Sequence, residues 1–110
     1  MNSHPTEAEL LASVLTTITA LPGGLFWRQN TGVFRALNSD RVIRSSANGI
    51  ADILGVYYGH AIAIETKSKT GTLSTAQMRF RYQWIKSGGV HIVARSVDDV
   101  LDVLGDLVPK

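Results

Sequence analysis

Three side chains in the middle of the chain could do chemistry together: Asp52, Glu65 and Lys67. Glu65 and Lys67 end an apolar, β-like run, Ala61–Lys67, and Asp52 sits near the start of another, Ile50–Tyr57. Side chains alternate along a strand, so Ala61, Ala63, Glu65 and Lys67 share one face while Ile62, Ile64 and Thr66 share the other. If the two runs close as a hairpin symmetrically about Tyr58 and Gly59, Asp52 stands across from Glu65 on the same face. A two- or four-residue turn gives that register, and a three-residue turn shifts it by one. Tyr58 is a poor residue for a tight primed turn, so the four-residue version is expected.

Carboxylates directly opposite on neighbouring strands have Cβ atoms about 4.5–5.5 Å apart and repel. Such a pair needs a proton, a cation or both. Lys67 is a partial answer and a divalent metal a better one; hard oxygen ligands suit Mg²⁺, with Mn²⁺ as substitute. Taken singly, Asp52 reads as a strand-edge carboxylate, and a Glu-x-Lys triplet recurs by chance. The case rests on their sharing one face.

The elements around them must supply the rest. Thr6 and Glu9 form a capping box that opens a helix, whose apolar positions Leu10, Leu11, Val14, Leu15 and Ile18 run on to Leu21 before Pro22-Gly23-Gly24 stops it. Glu7 continues that stripe and is assigned to the site; Glu9 lies off it and caps, with the reverse assignment left open. A strand follows at Leu25–Gln29. The polar stretch Asn30–Asn48 is irregular, with a short strand at Arg41–Arg44. After a loop at Ser68–Thr72, Ser74 and Gln77 form a second capping box, opening a helix to about Ser87. From that first turn Gln77 could also point toward the site. Gly88-Gly89 ends this helix, Val90–Ala94 makes another strand, and Ser96 caps a last helix to Leu107. The order α-β-β-β-α-β-α implies an α/β fold, a mixed central sheet flanked by helices, with residues 1–110 as one domain.

Composition narrows the partners. The chain has no cysteine, which removes disulfides, thiolate zinc sites and thiol nucleophiles together. No apolar run approaches the roughly 18 residues that cross a bilayer, and the first residues lack the basic start and apolar stretch of a signal peptide; a cytoplasmic protein is expected. Formal net charge is only +2, but from Arg28 to Arg95 ten Lys/Arg face three acids, and the remaining acids gather at the two ends. A basic middle between acidic flanks suits a surface that meets a polyanion, although scattered surface charge serves solubility as well.

These residues resemble the VRR-NUC domain family of the PD-(D/E)XK nuclease superfamily, in its compact stand-alone phage and bacterial type. The likeness runs from Thr6-Glu7-Ala8 through Trp27-Arg28-Gln29-Asn30-Thr31-Gly32, Gly49-Ile50-Ala51-Asp52-Ile53-Leu54-Gly55 and Ile64-Glu65-Thr66-Lys67. It continues into Gly71-Thr72-Leu73-Ser74-Thr75-Ala76-Gln77, Gly88-Gly89 and Val93-Ala94-Arg95-Ser96-Val97-Asp98-Asp99. Ala51 replaces the proline usual before the aspartate, and Thr66 the small apolar residue usual between Glu and Lys; neither adds or removes a catalytic side chain. The resemblance implies a restriction-endonuclease-like fold and a Mg²⁺-dependent endodeoxyribonuclease. Its active site would contain Glu7, Asp52, Glu65, Lys67 and Gln77, with the Thr66 backbone carbonyl as a further metal ligand beside Asp52, Glu65 and Glu7. It also implies DNA, branched as in a Holliday junction, as substrate, and a homodimer as the working form. Arg28, Asn30, Arg35, Lys69, Arg79 and Arg81 are then candidate phosphate contacts, against a plain reading as solvated charge. His4, His60 and His91 show no ligand spacing, and Trp27, Phe80 and Trp84 are expected in the core. Two other readings stay open: a DNA-binding module that does not cut, and a nuclease subunit active only within a larger assembly.

Overall fold

The computed structural model describes residues 4–29, 33–35, 42–44 and 49–110, with backbone alone at 33–35 and 42–44. Helix α1 spans Glu7–Thr19, followed by strands β1 (Gly24–Arg28), β2 (Val33–Arg35), β3 (Val42–Arg44), β4 (Ile53–Tyr57) and β5 (His60–Thr66). Helix α2 (Thr75–Lys86), strand β6 (Val90–Ala94) and helix α3 (Val97–Leu107) complete the order. The main sheet runs β1-β4-β5-β6; β2 and β3 pair separately as an antiparallel ribbon. The strand expected at Arg41–Arg44 is β3, whereas its partner β2 gives no apolar alternation by which to find it. The main sheet is mixed: β1, β4 and β5 are antiparallel neighbours, and β6 joins β5 in parallel through the α2 crossover. This is the α-β-β-β-α-β-α arrangement expected of the main sheet and its helices.

One face of the sheet carries the apolar core. Leu10, Val14 and Ile18 of α1 pack with Phe26, Ile53, Tyr57, Ile62, Ile64 and Ile92, and Val100 and Leu104 of α3 close the layer. The helical positions recur every three or four residues and the strand positions every second, as each element's geometry requires. Ile53, Ile62 and Ile64 are fully buried, and each such side chain contributes about 1.5–3 kcal/mol. That stack holds β4 against β5.

The opposite face is covered differently along its width. Over β6, α2 packs through a stacked pair: the Phe80 and Trp84 ring centroids are 5.4 Å apart, and Trp84 Nε1 donates to the Val90 carbonyl at 3.0 Å. Over β1, the expectation of a core Trp27 fails. Alternation sends Phe26 into the core and turns Trp27, 45% exposed, the other way beside exposed Leu25 and Val56.

The β4–β5 register pairs Ile53 with Ile64 and Tyr57 with His60, placing Asp52 across from Glu65. The turn that sets it is not the four-residue loop expected. Tyr58 (φ 46°) and Gly59 (φ 84°) form a tight two-residue turn, the kind whose twist matches paired strands. Tyr58 tolerates the left-handed conformation because its N–H donates to the Gly23 carbonyl at 2.9 Å and its ring lies edge-on to Tyr57, 4.8 Å away. A Cβ on Gly23 would sit 2.3 Å from that ring. The turn is fixed from outside the hairpin.

Gly49 (φ 80°) does similar work at the other end of β4. A Cβ there would lie 2.3 Å from the Ala76 carbonyl oxygen in the first turn of α2, so only glycine lets the approach to Asp52 pass this close to that helix. Gly49→Ala is expected to lower the melting temperature by more than about 5 °C, measured by circular dichroism. Gly105→Ala, where a Cβ meets open space on α3, should leave it unchanged or raise it. Equal melting temperatures for the two variants would contradict this packing.

Candidate active site

At the C-terminal end of β5, three elements converge on Glu65. Its side chain points to the α2 side of the sheet and is 4% exposed. One carboxyl oxygen, Oε1, accepts from Gln77 Nε2 at 2.9 Å. The other, Oε2, is buried with no hydrogen-bond partner among the described residues. Burial, reinforced by the neighbouring Asp52 carboxyl, pushes the Glu65 pKa up to about 8; Lys67 opposes the shift, while a hydrogen bond with Asp52 and the charge of Glu7 add to it. Near neutral pH, without a cation, this carboxyl keeps its proton and shares it with Asp52.

Asp52 lies just before β4, anchored twice. Its backbone carbonyl accepts from Gln29 N–H at 2.7 Å, extending the β1–β4 pairing. Its Oδ2 accepts from both the backbone N–H and the hydroxyl of Thr66, at 2.9 and 2.8 Å. The Thr66 side chain therefore has a task that sequence reasoning missed, having weighed only its carbonyl. The clue was present: a hydroxyl stands where resemblance expects a small apolar residue, next to the pairing partner of Asp52.

Gln77 satisfies two demands at once. Its amide oxygen accepts from Ser74 N–H at 2.9 Å to complete the capping box, which frees Nε2 for Glu65. The two carboxylates of α1 divide as expected. Glu9 Oε1 accepts from Thr6 N–H at 3.1 Å, and this bond holds its carboxyl below the usual range. Glu7 Oε1 accepts from Ser68 N–H at 3.1 Å, just past Lys67. A Cβ on Gly71 would lie 3.2 Å from Glu7 Oε1 and 3.6 Å from Lys67 Cδ, so both side chains close around that glycine.

The residues fit a hard divalent cation on one observation above all: the unpartnered, buried Oε2 of Glu65 beside a second carboxyl. Among the described residues no three His, Cys, Asp or Glu side chains gather at metal-ligating spacing. Glu7 thus flanks the carboxyl pair without forming a three-carboxylate cluster with it. Two carboxylates are a common protein contribution to Mg²⁺, which keeps several waters and takes oxygens from substrate phosphates.

The cationic candidates scatter. Arg28, exposed at the end of β1, is the register partner of Ile53 and so flanks Asp52. Lys69 lines a cleft of about 390 Å³ together with Lys67, Arg95 and Ser96. Arg79 lies on an outer face of α2 beside Ala76 and Gln83. Arg81 turns toward His91: its charge and, more strongly, burial push the His91 pKa down to about 4. Asn30 and the side chain of Arg35 lie outside the described residues.

Comparison with solved structures agrees with this architecture. A structure described as a VRR_NUC domain superposes with a TM-score of 0.63 at 19% sequence identity, covering 94% of this chain and all of that one. The chain has a VRR_NUC fold. No family model and no curated protein matches the sequence. The VRR_NUC architecture is of nuclease type, and the Asp52–Glu65 pair lies at the end of its central hairpin. Among the described residues no helix is long and apolar enough to cross a membrane.

The raised Glu65 pKa makes a signed prediction for the metal-free protein. Relative to an unfolded chain titrating near 4.5, the protonated carboxyl favours the fold below about 4.5, and that advantage is lost as pH rises toward 8. Glu65→Gln, which is neutral at every pH, should therefore gain in melting temperature over wild type as pH rises through this window, by about 5 °C or more at pH 8. A constant difference across the window would refute the shift.

Proposed function

We propose that the protein is a Mg²⁺-dependent endodeoxyribonuclease that hydrolyses phosphodiester bonds, selects branched DNA of the Holliday-junction kind, and works as a homodimer. The observation that carries the reading is the contact between Asp52 and Glu65, with its buried unpartnered oxygen, in a nuclease-type fold. The basic middle of the chain supports a polyanionic substrate, and a chain this small acting on two strands is served by a second copy.

In this mechanism Asp52, Glu65 and the Thr66 carbonyl would hold Mg²⁺, which when bound supplies a Lewis-acidic charge against the phosphate oxygens. Thr66 N–H and Oγ fix the Asp52 carboxylate, and Gln77 fixes Glu65, so the pair is oriented before substrate arrives. Lys67, on the same strand face as Glu65, orients the attacking water and stabilises negative charge developing on the phosphate. Water adds to phosphorus as the bond to the 3′ oxygen breaks, leaving a 5′-phosphate and a 3′-hydroxyl. Glu7 stands on the far side of Lys67, where its charge keeps the amine protonated and close. Arg28 and Lys69, exposed on either side of the carboxyl pair, engage flanking phosphates.

Labelled four-way, flap and linear DNA incubated with the protein test the reading directly. Cleavage is expected with Mg²⁺ or Mn²⁺ and not with EDTA, and fastest on the four-way substrate. Lys67→Ala is expected to cut at least about 100-fold more slowly while binding DNA within about threefold of wild type. Metal-independent binding with no cleavage of any substrate would sink the proposal, as would a Lys67→Ala protein that cuts at the wild-type rate.

A further inference from the structure

Arg95 follows β6 directly, and its side chain reaches back across the end of the sheet to the turn after Lys67. Its guanidinium nitrogen Nη1 donates to the carbonyls of Ser68 at 2.6 Å and Gly71 at 2.7 Å, with a longer contact to Lys69 at 3.4 Å. The turn also closes on itself, because Gly71 N–H donates to the Ser68 hydroxyl at 3.0 Å and to its carbonyl at 3.2 Å. Gathering the carbonyls on the guanidinium leaves the Ser68 N–H pointing the other way, where it donates to Glu7. Arg95 is itself held: its N–H donates to Asp99 Oδ2 at 2.9 Å in the first turn of α3, and Asp99 N–H donates to the Ser96 cap. Immediately upstream, Lys67 N–H donates to the Ala94 carbonyl at 2.9 Å.

We propose that Arg95 is a positioning residue for the cleavage centre: it clamps the Ser68–Gly71 turn so that the Ser68 amide holds Glu7 beside Lys67. The chain of contacts runs Asp99, Arg95, the Ser68–Gly71 carbonyls, Ser68 N–H, Glu7. Each link is a single hydrogen bond or a pair, and its charged members make these bonds stronger than neutral ones. Such a turn has no apolar anchor in the core, so its conformation depends on polar contacts that water can replace. Without the cation the three carbonyls lose their common donor, and Ser68 N–H is free to swing away from Glu7. The clamp also explains the loop's composition. Gly71 must be small, since a Cβ would meet the Ser68 hydroxyl at 2.9 Å and Glu7 at 3.2 Å. Arg95 is exposed, so its conservation of the fold is dispensable while its hold on the turn is not.

The inference rests on the nuclease reading for its kinetic consequence, and amide hydrogen exchange, which needs no substrate, separates the two. In Arg95→Ala the Ser68 and Gly71 amides are expected to exchange about tenfold faster or more, with β5 amides and the melting temperature unchanged. In cleavage assays kcat is expected to fall about 10- to 100-fold with KM within about twofold. Arg95→Lys, which keeps a cationic donor, should restore much of both. In a Glu7→Gln background, Arg95→Ala should cost less than about threefold further, because the two act through one contact. Unchanged exchange at Ser68 and Gly71 overturns the clamp even if the enzyme is active. Faster exchange with an additive, undiminished loss in the Glu7→Gln background overturns the link to Glu7. If wild type cleaves nothing, the nuclease reading fails, and the exchange data still decide whether Arg95 holds the turn.

Discussion

Two carboxyl groups are pressed together at the end of a sheet, and one of them is almost wholly out of water. Left to themselves they would separate or take up solvent, since a buried carboxylate beside a like charge is costly. The rest of the structure prevents both. The isoleucine stack of β4 and β5 fixes the strands that carry them, Gly49 lets the Asp52 segment lie against α2, and the Thr66 N–H and hydroxyl pin one carboxylate oxygen. The resulting strain has only two outlets, a shared proton or a cation. A fold that spends stability to keep such a pair is one in which the pair is used.

Around that constraint the polar contacts are arranged so that each surrounding group serves a helix or loop end and the site together. Gln77 closes the α2 cap with its oxygen and meets Glu65 with its nitrogen. Glu7 opens α1 and receives the Ser68 amide. The two sheet faces divide the labour: aliphatic side chains against α1 and α3 supply rigidity, and the α2 face holds the charge. The orientation of the reactive groups thus precedes any ligand, which is what electrostatic catalysis of phosphoryl chemistry requires.

Much of this was legible from residue order, and the failures are as informative. Alternation in Ala61–Lys67 set which residues share the face of Glu65, and capping boxes at Thr6 and Ser74 located two helices to within a residue. The hairpin register was legible too, but not its turn. Intrinsic preference argues against Tyr58 at positive φ, and the bond and ring contact it makes with Gly23 come from a strand distant in sequence. Trp27 was misplaced because strand alternation gave way to the habit of burying large aromatics. The Thr66 hydroxyl, Ser68 amide and Arg95 clamp were invisible for a common reason: they depend on contacts between elements, including backbone groups that carry no residue signature.

The account stands or falls on the state of Glu65, which carbon-detected NMR of its side-chain carboxyl reads directly. Without metal the resonance should titrate near pH 8, and with saturating Mg²⁺ it should be ionised throughout the range from about pH 5 upward. An ordinary carboxylate titration near pH 4.5, indifferent to Mg²⁺, would contradict it.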